Sequence, residues 1–210
     1  MSNPENGVPV LDRIANLKIY DLFNEKGFHN GWSSEVQKAN FNVFTLIEKH
    51  TGFPLQGSAC LDVGCGTGEL AEFLRDKGVG SYLGIDLVPS SIGLARRRNP
   101  GMTFKRGDFL VEPKNDEAFD FVFCSGAMTL KFNSGNYDYM QRMITRMMEF
   151  SKKGIAFNFL SDTLHRGETP AFVYEREKVR ELYDSLGLRS RVEVSTWVGT
   201  DYQDTVFIKR

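Results

Sequence analysis

Long apolar runs and an excess of charge of either sign are both missing from this sequence of 210 residues. No run of about 18 apolar residues occurs, so no membrane-spanning helix is predicted. The 26 basic and 27 acidic residues give a net charge of −1, unlike the strongly basic balance of a dedicated nucleic-acid-binding protein. A nucleic-acid partner is therefore not expected, and the basic runs at 96–98 and 105–106 are interpreted as solvated ends of a helix and a strand.

Cysteine and histidine are scarce, with three residues of each type. Cys60, Cys65 and Cys124 lie in or beside apolar runs and lack the spacing of an extracellular disulfide framework, so they are predicted to be free thiols in a reducing compartment. No histidine, cysteine and carboxylate residues stand at metal-ligand spacing, so no metal is predicted. The first residues also lack the basic start and apolar stretch of a signal peptide, and a cytoplasmic location is expected.

Short apolar runs alternate with amphipathic segments from residue 58 onward. Strands are predicted at 58–63, 81–86, 102–106, 119–124, 153–160, 190–197 and 203–209. Helices are predicted at 68–77, 89–98, 136–150 and 174–186. This alternation is typical of βαβ units, whose right-handed crossovers build a doubly wound α/β fold. Because so few residues separate the last two strands, they are expected to form an antiparallel hairpin, which gives a mainly parallel seven-stranded sheet with an antiparallel last strand.

The first 55 residues differ in pattern from the rest of the chain. They are predicted to form a helical N-terminal cap or lid over a core of residues 56–210, with the whole chain in one domain. A helix in this cap is expected to begin at Ser33 or Ser34, where a capping residue stands, and to end before Gly52.

The segment CLDVGCGTGELAEFL at 60–74 carries the strongest signal in the chain. An apolar strand leads into a glycine loop and on into an amphipathic helix, so that backbone N–H groups can lie against a ligand. Glu69 stands where a dinucleotide-binding motif has its third glycine. Asp62, just before the loop, is a poor neighbour for a pyrophosphate and suits an ammonium group. The alternative is an ordinary strand–turn–helix corner that binds nothing.

Two further acidic residues end or follow the next two strands. Asp86 stands about 20 residues after the glycine loop, where a carboxylate can accept hydrogen bonds from both hydroxyls of a ribose. The alternative is that it only caps the helix near Pro89. Asp108 follows the third strand in the turn Gly107-Asp108-Phe109. Its carboxylate can accept from an adenine amino group and the Phe109 N–H can donate to a ring nitrogen, unless Asp108 is a simple turn residue.

The fourth strand is predicted to open into the same cleft at Cys124 and Ser125. Small side chains at 125–127 leave room for a ligand, and the loop is expected to border a second substrate. Four aromatic residues either line an apolar pocket there or belong to the core, namely Phe132, Phe159, Phe172 and Tyr174.

These motifs resemble the class I S-adenosylmethionine-dependent methyltransferases over residues 58–160. The resemblance implies a Rossmann-like sheet and S-adenosylmethionine as the cofactor. The residues that it implies for cofactor binding in the core are Asp62, Gly64, Cys65, Gly66, Gly68, Asp86, Leu87, Gly107, Asp108, Phe109, Cys124 and Ser125.

A closer resemblance covers nearly the whole chain. The pieces GWSSEVQKANF at 31–41, SGAMTLKF at 125–132 and IAFNFLSD at 155–162 are similar to a bacterial group of small methyltransferases that mostly lack an assigned acceptor. The resemblance implies that Trp32, Ser33 and Gln37 lie over the cofactor as part of a lid. That group commonly has arginine where Asn40 stands, so an anionic contact at this position is not carried over.

Methyl transfer from a sulfonium is an in-line displacement that mainly requires an aligned acceptor and a site without water. A general base is needed only where the acceptor loses a proton. His165, which follows the fifth strand, and His29, near Trp32, are the candidate catalytic residues, with a surface or structural role as the alternative for each.

The sequence predicts methyl transfer to O, N or S of a small-molecule metabolite, because the acceptor-binding cap is small. The Asn/Asp-Pro-Pro-aromatic segment of exocyclic-nitrogen methylation is absent after the fourth strand, and Cys124 lacks the preceding proline of cytosine C5 methylation. The alternatives are an RNA-modifying methyltransferase, a module that binds S-adenosylmethionine without catalysis, and a nicotinamide-dependent oxidoreductase.

Overall fold

The computed structural model of the protein describes residues 34–111, 119–162, 171–198 and 201–210. The helices in this part of the chain are α1 (Ser34–Phe44), α2 (Leu46–Thr51), α3 (Glu69–Asp76), α4 (Pro89–Arg98), α5 (Asn136–Phe150) and α6 (Arg176–Ser185). The strands are β1 (Ala59–Val63), β2 (Ser81–Asp86), β3 (Thr103–Arg106), β4 (Phe119–Cys124), β5 (Ser151–Ser161), β6 (Val173–Tyr174), β7 (Arg191–Val198) and β8 (Asp201–Lys209). A 3₁₀ turn, Ala127–Thr129, follows β4.

The strands form one mixed sheet in the order β3-β2-β1-β4-β5-β8-β7. Strands β1 to β5 pair in parallel, whereas β8 runs antiparallel to both β5 and β7. The predicted α/β fold, with a mainly parallel sheet and an antiparallel last strand, is confirmed. The strand order reverses at β1, which lies between β2 and β4, and ligands bind at such a reversal beyond the carboxyl ends of the strands.

Two details differ from the sequence prediction. Strand β6 pairs with the end of β5 and was not predicted. Its Tyr174 was placed at the start of a helix, but the ring is fully buried against Phe172 and Tyr137, and α6 begins only at Arg176. The predicted helix before Gly52 is divided at Thr45 into α1 and α2.

Helices cover both faces of the sheet, because the central strands are apolar on both sides. Helices α1, α2, α3 and α4 pack on one face against residues such as Phe121, Phe123 and Phe207. Helices α5 and α6 pack on the other face, where Val122 and Phe157 lie. The basic runs at 96–98 and 105–106 are exposed, as predicted, and the second run lies on the edge strand β3. Among the described residues, no helix combines the length and the apolar character needed to cross a membrane.

Candidate functional site

A cleft lies at the carboxyl ends of β1 to β4, where the strand order reverses. Most of the sequence-predicted core residues line it, namely Asp62, Gly64, Cys65, Gly66, Asp86, Leu87, Gly107, Asp108, Phe109 and Ser125. Gln37 of α1 lines it as well. The cleft therefore lies at the ends of four parallel strands, and a helix of the N-terminal segment contributes to its wall.

The glycine loop is held against β2 and against the loop after β4. The N–H groups of Gly64 and Cys65 both donate to the carbonyl of Ile85, at 2.8 and 3.1 Å. Gly64 has a φ of 73°, and a Cβ atom added there would lie 2.7 Å from the Cβ of Ala127. Glycine is required at this position by both the backbone conformation and the close approach.

Asp62 is buried in the wall of the cleft, and only one of its two carboxylate oxygens has a partner among the described residues. The Tyr82 hydroxyl donates to Asp62 Oδ2 at 2.7 Å, whereas Oδ1 accepts no hydrogen bond from any residue that the structure describes. Burial raises the pKa of Asp62 to about 7. A buried carboxylate oxygen without a donor is costly, and a cationic N–H donor in the cleft would satisfy it. These features fit the ammonium group that the sequence predicted for this position.

Asp86 joins the end of β2 to the glycine loop. Its Oδ2 accepts from the N–H of Gly66 and its Oδ1 accepts from the N–H of Val88, both at 2.8 Å. Val88 is the residue just before α4, so Asp86 also contacts the backbone at the start of that helix. A contact of Asp86 with this helix is the alternative that the sequence left open. Asp86 also lines the cleft, and a carboxylate oxygen can accept more than one hydrogen bond, so ribose hydroxyls can donate to it.

Asp108 follows β3 beside Asp86. The N–H of Gly107 donates to the carbonyl of Asp86 at 3.0 Å, and the N–H of Leu110 donates to Asp108 Oδ1 at 3.1 Å. The ring of Phe109 is buried against Phe150. The three carboxylates of Asp62, Asp86 and Asp108 thus line one cleft from successive parallel strands.

Residues 60–154 match a family described as methyltransferase domain. These residues form a class I methyltransferase domain. This class uses S-adenosylmethionine, and the unpaired oxygen of Asp62 fits the ammonium end of that cofactor.

Two bacterial relatives align with parts of the chain. The phthiotriol/phenolphthiotriol dimycocerosates methyltransferase of Mycobacterium tuberculosis is 32% identical over 130 residues, which are 60% of this chain and 45% of the relative. The dTDP-3-amino-3,6-dideoxy-alpha-D-glucopyranose N,N-dimethyltransferase of Streptomyces fradiae is 30% identical over 91 residues, 43% of this chain and 32% of the relative. The chain thus spans less than half the length of these relatives.

Over 93% of the chain, the fold is similar to that of a solved methyltransferase. Magnesium protoporphyrin IX methyltransferase (ChlM) from Synechocystis PCC 6803, with bound SAH, superimposes with a TM-score of 0.70 at 19% sequence identity. The match covers 93% of this chain and 99% of ChlM. Because the sequence identity is only 19%, this similarity is one of fold alone.

The loop after β4 is fixed by asparagine residues that sequence reasoning missed. The N–H of Gly126 donates to Asn158 Oδ1 at 2.8 Å, and Asn158 Nδ2 donates to Gln203 at 3.2 Å. Asn136 holds the next part of the loop, because its Nδ2 donates to the carbonyl of Leu130 at 2.6 Å. For Asn158, the available signal was a single asparagine inside the apolar run IAFNFL at 155–160.

Not every predicted contact lines the cleft. Gly68 begins α3 and packs beside Asn99, and Cys124 is fully buried on the α5 side of the sheet. Their assignment as cofactor contacts stays a prediction. All three cysteines are free, as predicted, and the structure shows them buried; burial raises the pKa of the Cys60 thiol to about 12.

The aromatic residues proposed for a pocket separate into two groups. Phe132 lines the cleft, together with Tyr139 of α5. Phe159 and Tyr174 lie in the core of the sheet, and Phe172 packs against Tyr174. Four predicted site residues, namely His29, Trp32, Ser33 and His165, lie outside the residues that the structure describes.

Proposed function

We propose that the protein catalyses S-adenosylmethionine-dependent methyl transfer to an oxygen, nitrogen or sulfur atom of a small molecule. One observation supports this above all. Three carboxylates, at Asp62, Asp86 and Asp108, line a single cleft around a glycine loop, and no described residue donates to one of the two oxygens of the buried Asp62. The cofactor offers one complementary group to each: an ammonium, a ribose and an adenine amino group.

Each of the three carboxylates would bind a different part of the cofactor. Asp62 binds the ammonium, Asp86 accepts from the ribose hydroxyls and Asp108 accepts from the adenine amino group. The bound cofactor supplies a sulfonium methyl group, which needs no metal and no covalent intermediate with the protein. The chain itself aligns the acceptor and excludes water, and the small side chains at 125–127 leave space beside the methionine part.

A small, non-nucleic-acid acceptor is supported by the charge of the cleft and by the relatives. Within the described residues, the cleft is lined by four carboxylates, at Asp62, Glu69, Asp86 and Asp108, and by no lysine, arginine or histidine. A polyanionic acceptor finds no cationic partner in this part of the wall. The two bacterial relatives are named for a lipid and a nucleotide-sugar substrate.

The direct test is to measure S-adenosylhomocysteine binding by calorimetry and methyl transfer from labelled cofactor to a metabolite collection. Labelled product from a small molecule is expected. Firm cofactor binding with no labelled product from any acceptor, RNA included, would instead identify a non-catalytic binding module. Tighter binding of NADH than of S-adenosylhomocysteine would contradict the proposal altogether.

Replacing Asp86 by alanine is expected to weaken S-adenosylhomocysteine binding by about 1–3 kcal/mol, the scale of hydrogen bonds to a charged group. Asp120→Ala is the matched control, because Asp120 also accepts a backbone hydrogen bond, from Ala59 at 2.9 Å, but does not line the cleft. Calorimetry that finds the same affinity in both variants would show that Asp86 does not bind the ribose.

Cofactor affinity should fall as the pH is lowered below about 7. The pKa of Asp62 is raised to about 7 by burial, and an ammonium bound beside it lowers that pKa. Protons therefore compete with the ligand below the ligand-free pKa, and affinity is fully present only above it. Calorimetry at a series of pH values above and below 7 measures this fall in affinity, and Asp62→Asn should abolish the dependence on pH. An Asp62→Asn profile identical to that of the wild type would assign the titration to another group.

A further inference from the structure

Asn40 is a second residue of the cleft lining with a buried side-chain acceptor that has no donor among the described residues. It lies on the face of α1 that also carries Gln37 and Phe41, at the helical spacing i, i+3 and i+4, and all three side chains line the cleft. Asn40 is only 4% exposed, and its Oδ1 accepts no hydrogen bond in the part of the chain that the structure describes. Such a buried acceptor is unfavourable unless a bound molecule donates to it.

The packing of α1 places Asn40 on the same side of the cleft as the glycine loop. Phe41 contacts Phe73 of α3 with ring centroids 5.7 Å apart, and α1 packs along α3. Helix α3 begins directly after the loop, and its first residues, Glu69 and Leu70, line the cleft as well. This is the end of the cleft to which Asp62 assigns the amino-acid part of the cofactor.

Two residues of the cleft lining, Asp62 and Asn40, therefore each carry a buried Oδ1 that accepts no hydrogen bond from any described residue. A group that donates to both oxygens must carry several N–H donors on one centre. An ammonium has three donors and no acceptor, whereas a carboxylate would face the lone pairs of both oxygens. We propose that Asn40 Oδ1 accepts a hydrogen bond from the ammonium group of the cofactor and shares that group with Asp62. The inference rests on the proposed function, because it takes the cofactor from it.

Two substitutions and two ligands test this contact. Asn40→Leu keeps the volume and removes the acceptor, whereas Asn40→Asp keeps the acceptor and adds a negative charge. S-adenosylhomocysteine carries the ammonium, and 5′-methylthioadenosine lacks the whole amino-acid part. Calorimetry should show that Asn40→Leu lowers affinity for S-adenosylhomocysteine by about tenfold or more, the scale of a hydrogen bond to a charged group. Asn40→Asp should retain or raise that affinity.

Affinity for 5′-methylthioadenosine should stay within about twofold of wild type in both variants, because this ligand lacks the ammonium group to which Asn40 is proposed to bind. Three results would overturn the inference. The first is an unchanged S-adenosylhomocysteine affinity in Asn40→Leu, which would show that the amide does not contact the cofactor. The second is a larger loss in Asn40→Asp than in Asn40→Leu, which would make the partner an anion. The third is an equal loss for both ligands.

The outcome for the wild type separates this inference from the proposed function. A wild-type protein that binds neither ligand would refute the cofactor assignment itself. A wild-type protein that binds both, with Asn40 variants that behave like it, would refute only the role of Asn40. Thermal unfolding followed by circular dichroism confirms that each variant is folded.

Discussion

Gly64→Ala is expected to weaken S-adenosylhomocysteine binding more than tenfold and to lower the free energy of unfolding by about 2–5 kcal/mol. Two effects add. A residue with a Cβ atom in the left-handed region costs about 1–2 kcal/mol. The new Cβ would also lie 2.7 Å from the Cβ of Ala127. Overpacking of this kind costs about 1–3 kcal/mol and forces apart two loops that both line the cleft. Calorimetry and urea unfolding measure the two effects.

Gly57 is the matched control, because it has the same φ of 73° and an added Cβ there would meet nothing within 4 Å. Gly57→Ala should therefore carry the conformational cost alone and leave ligand affinity unchanged. Adding Ala127→Gly to Gly64→Ala should restore part of the lost affinity, since it removes the atom that clashes. Equal ligand affinity in Gly64→Ala and Gly57→Ala would mean that the contact between the two loops does not shape the cleft.

Replacing Asp204 by asparagine is expected to lower the free energy of unfolding by about 3–5 kcal/mol, the cost of removing one partner of a buried ion pair. Asp204 is fully buried on β8 and accepts from Arg176 Nε at 3.0 Å, from Arg176 Nη2 and from the Ser195 hydroxyl. The backbone N–H of Arg176 also donates to Asp162 at 3.1 Å. Through Asp204, Ser195 and Asp162, Arg176 therefore joins the start of α6 to β8, to β7 and to the end of β5. Urea unfolding gives the loss directly.

Glu177→Gln is the control for Asp204, because Glu177 pairs with Arg180 on the same helix but its side chain is 81% exposed. An exposed pair contributes at most about 1 kcal/mol, so this variant should unfold close to the wild type. If Asp204→Asn lost less than about 1 kcal/mol, the buried pair would not be what fixes α6 to the sheet.

The parts of the site that depend on local chain geometry were predictable from the sequence. The spacing of Gly64 and Gly66 after an apolar run specifies a strand, a tight turn and a helix in that order. Since the carboxyl ends of parallel strands meet at one edge, Asp62, Asp86 and Asp108 could be placed together without knowing any distance. The structure confirms that they line one cleft.

The contacts that depend on distant residues were not predictable. In the sequence, Asn158 is a polar residue inside an apolar strand. Only the folded chain shows that its side chain accepts a hydrogen bond from the N–H of Gly126, in the loop after the neighbouring strand β4. Tyr174 fits a helical pattern with the residues after it. In the structure its ring packs against Phe172 and Tyr137, and the residue lies in β6 instead. In both cases tertiary packing decides what the local pattern leaves open.

Cys124 shows the limit of predicting the direction of a side chain at the end of a strand. The sequence places it at the mouth of the cleft, because β4 ends there. Successive side chains of a strand point to opposite faces, and that of Cys124 points into the core beside α5. The small residues that follow, Ser125 and Ala127, line the cleft instead.

The binding mode of the cofactor can be seen directly in a crystal structure of the protein soaked with S-adenosylhomocysteine. We expect the amino group of the ligand at Asp62 Oδ1, the ribose hydroxyls at Asp86 and the adenine amino group at Asp108. A ligand found elsewhere, or in this cleft with its adenine at Asp62 and its amino-acid part at Asp108, would contradict this binding mode.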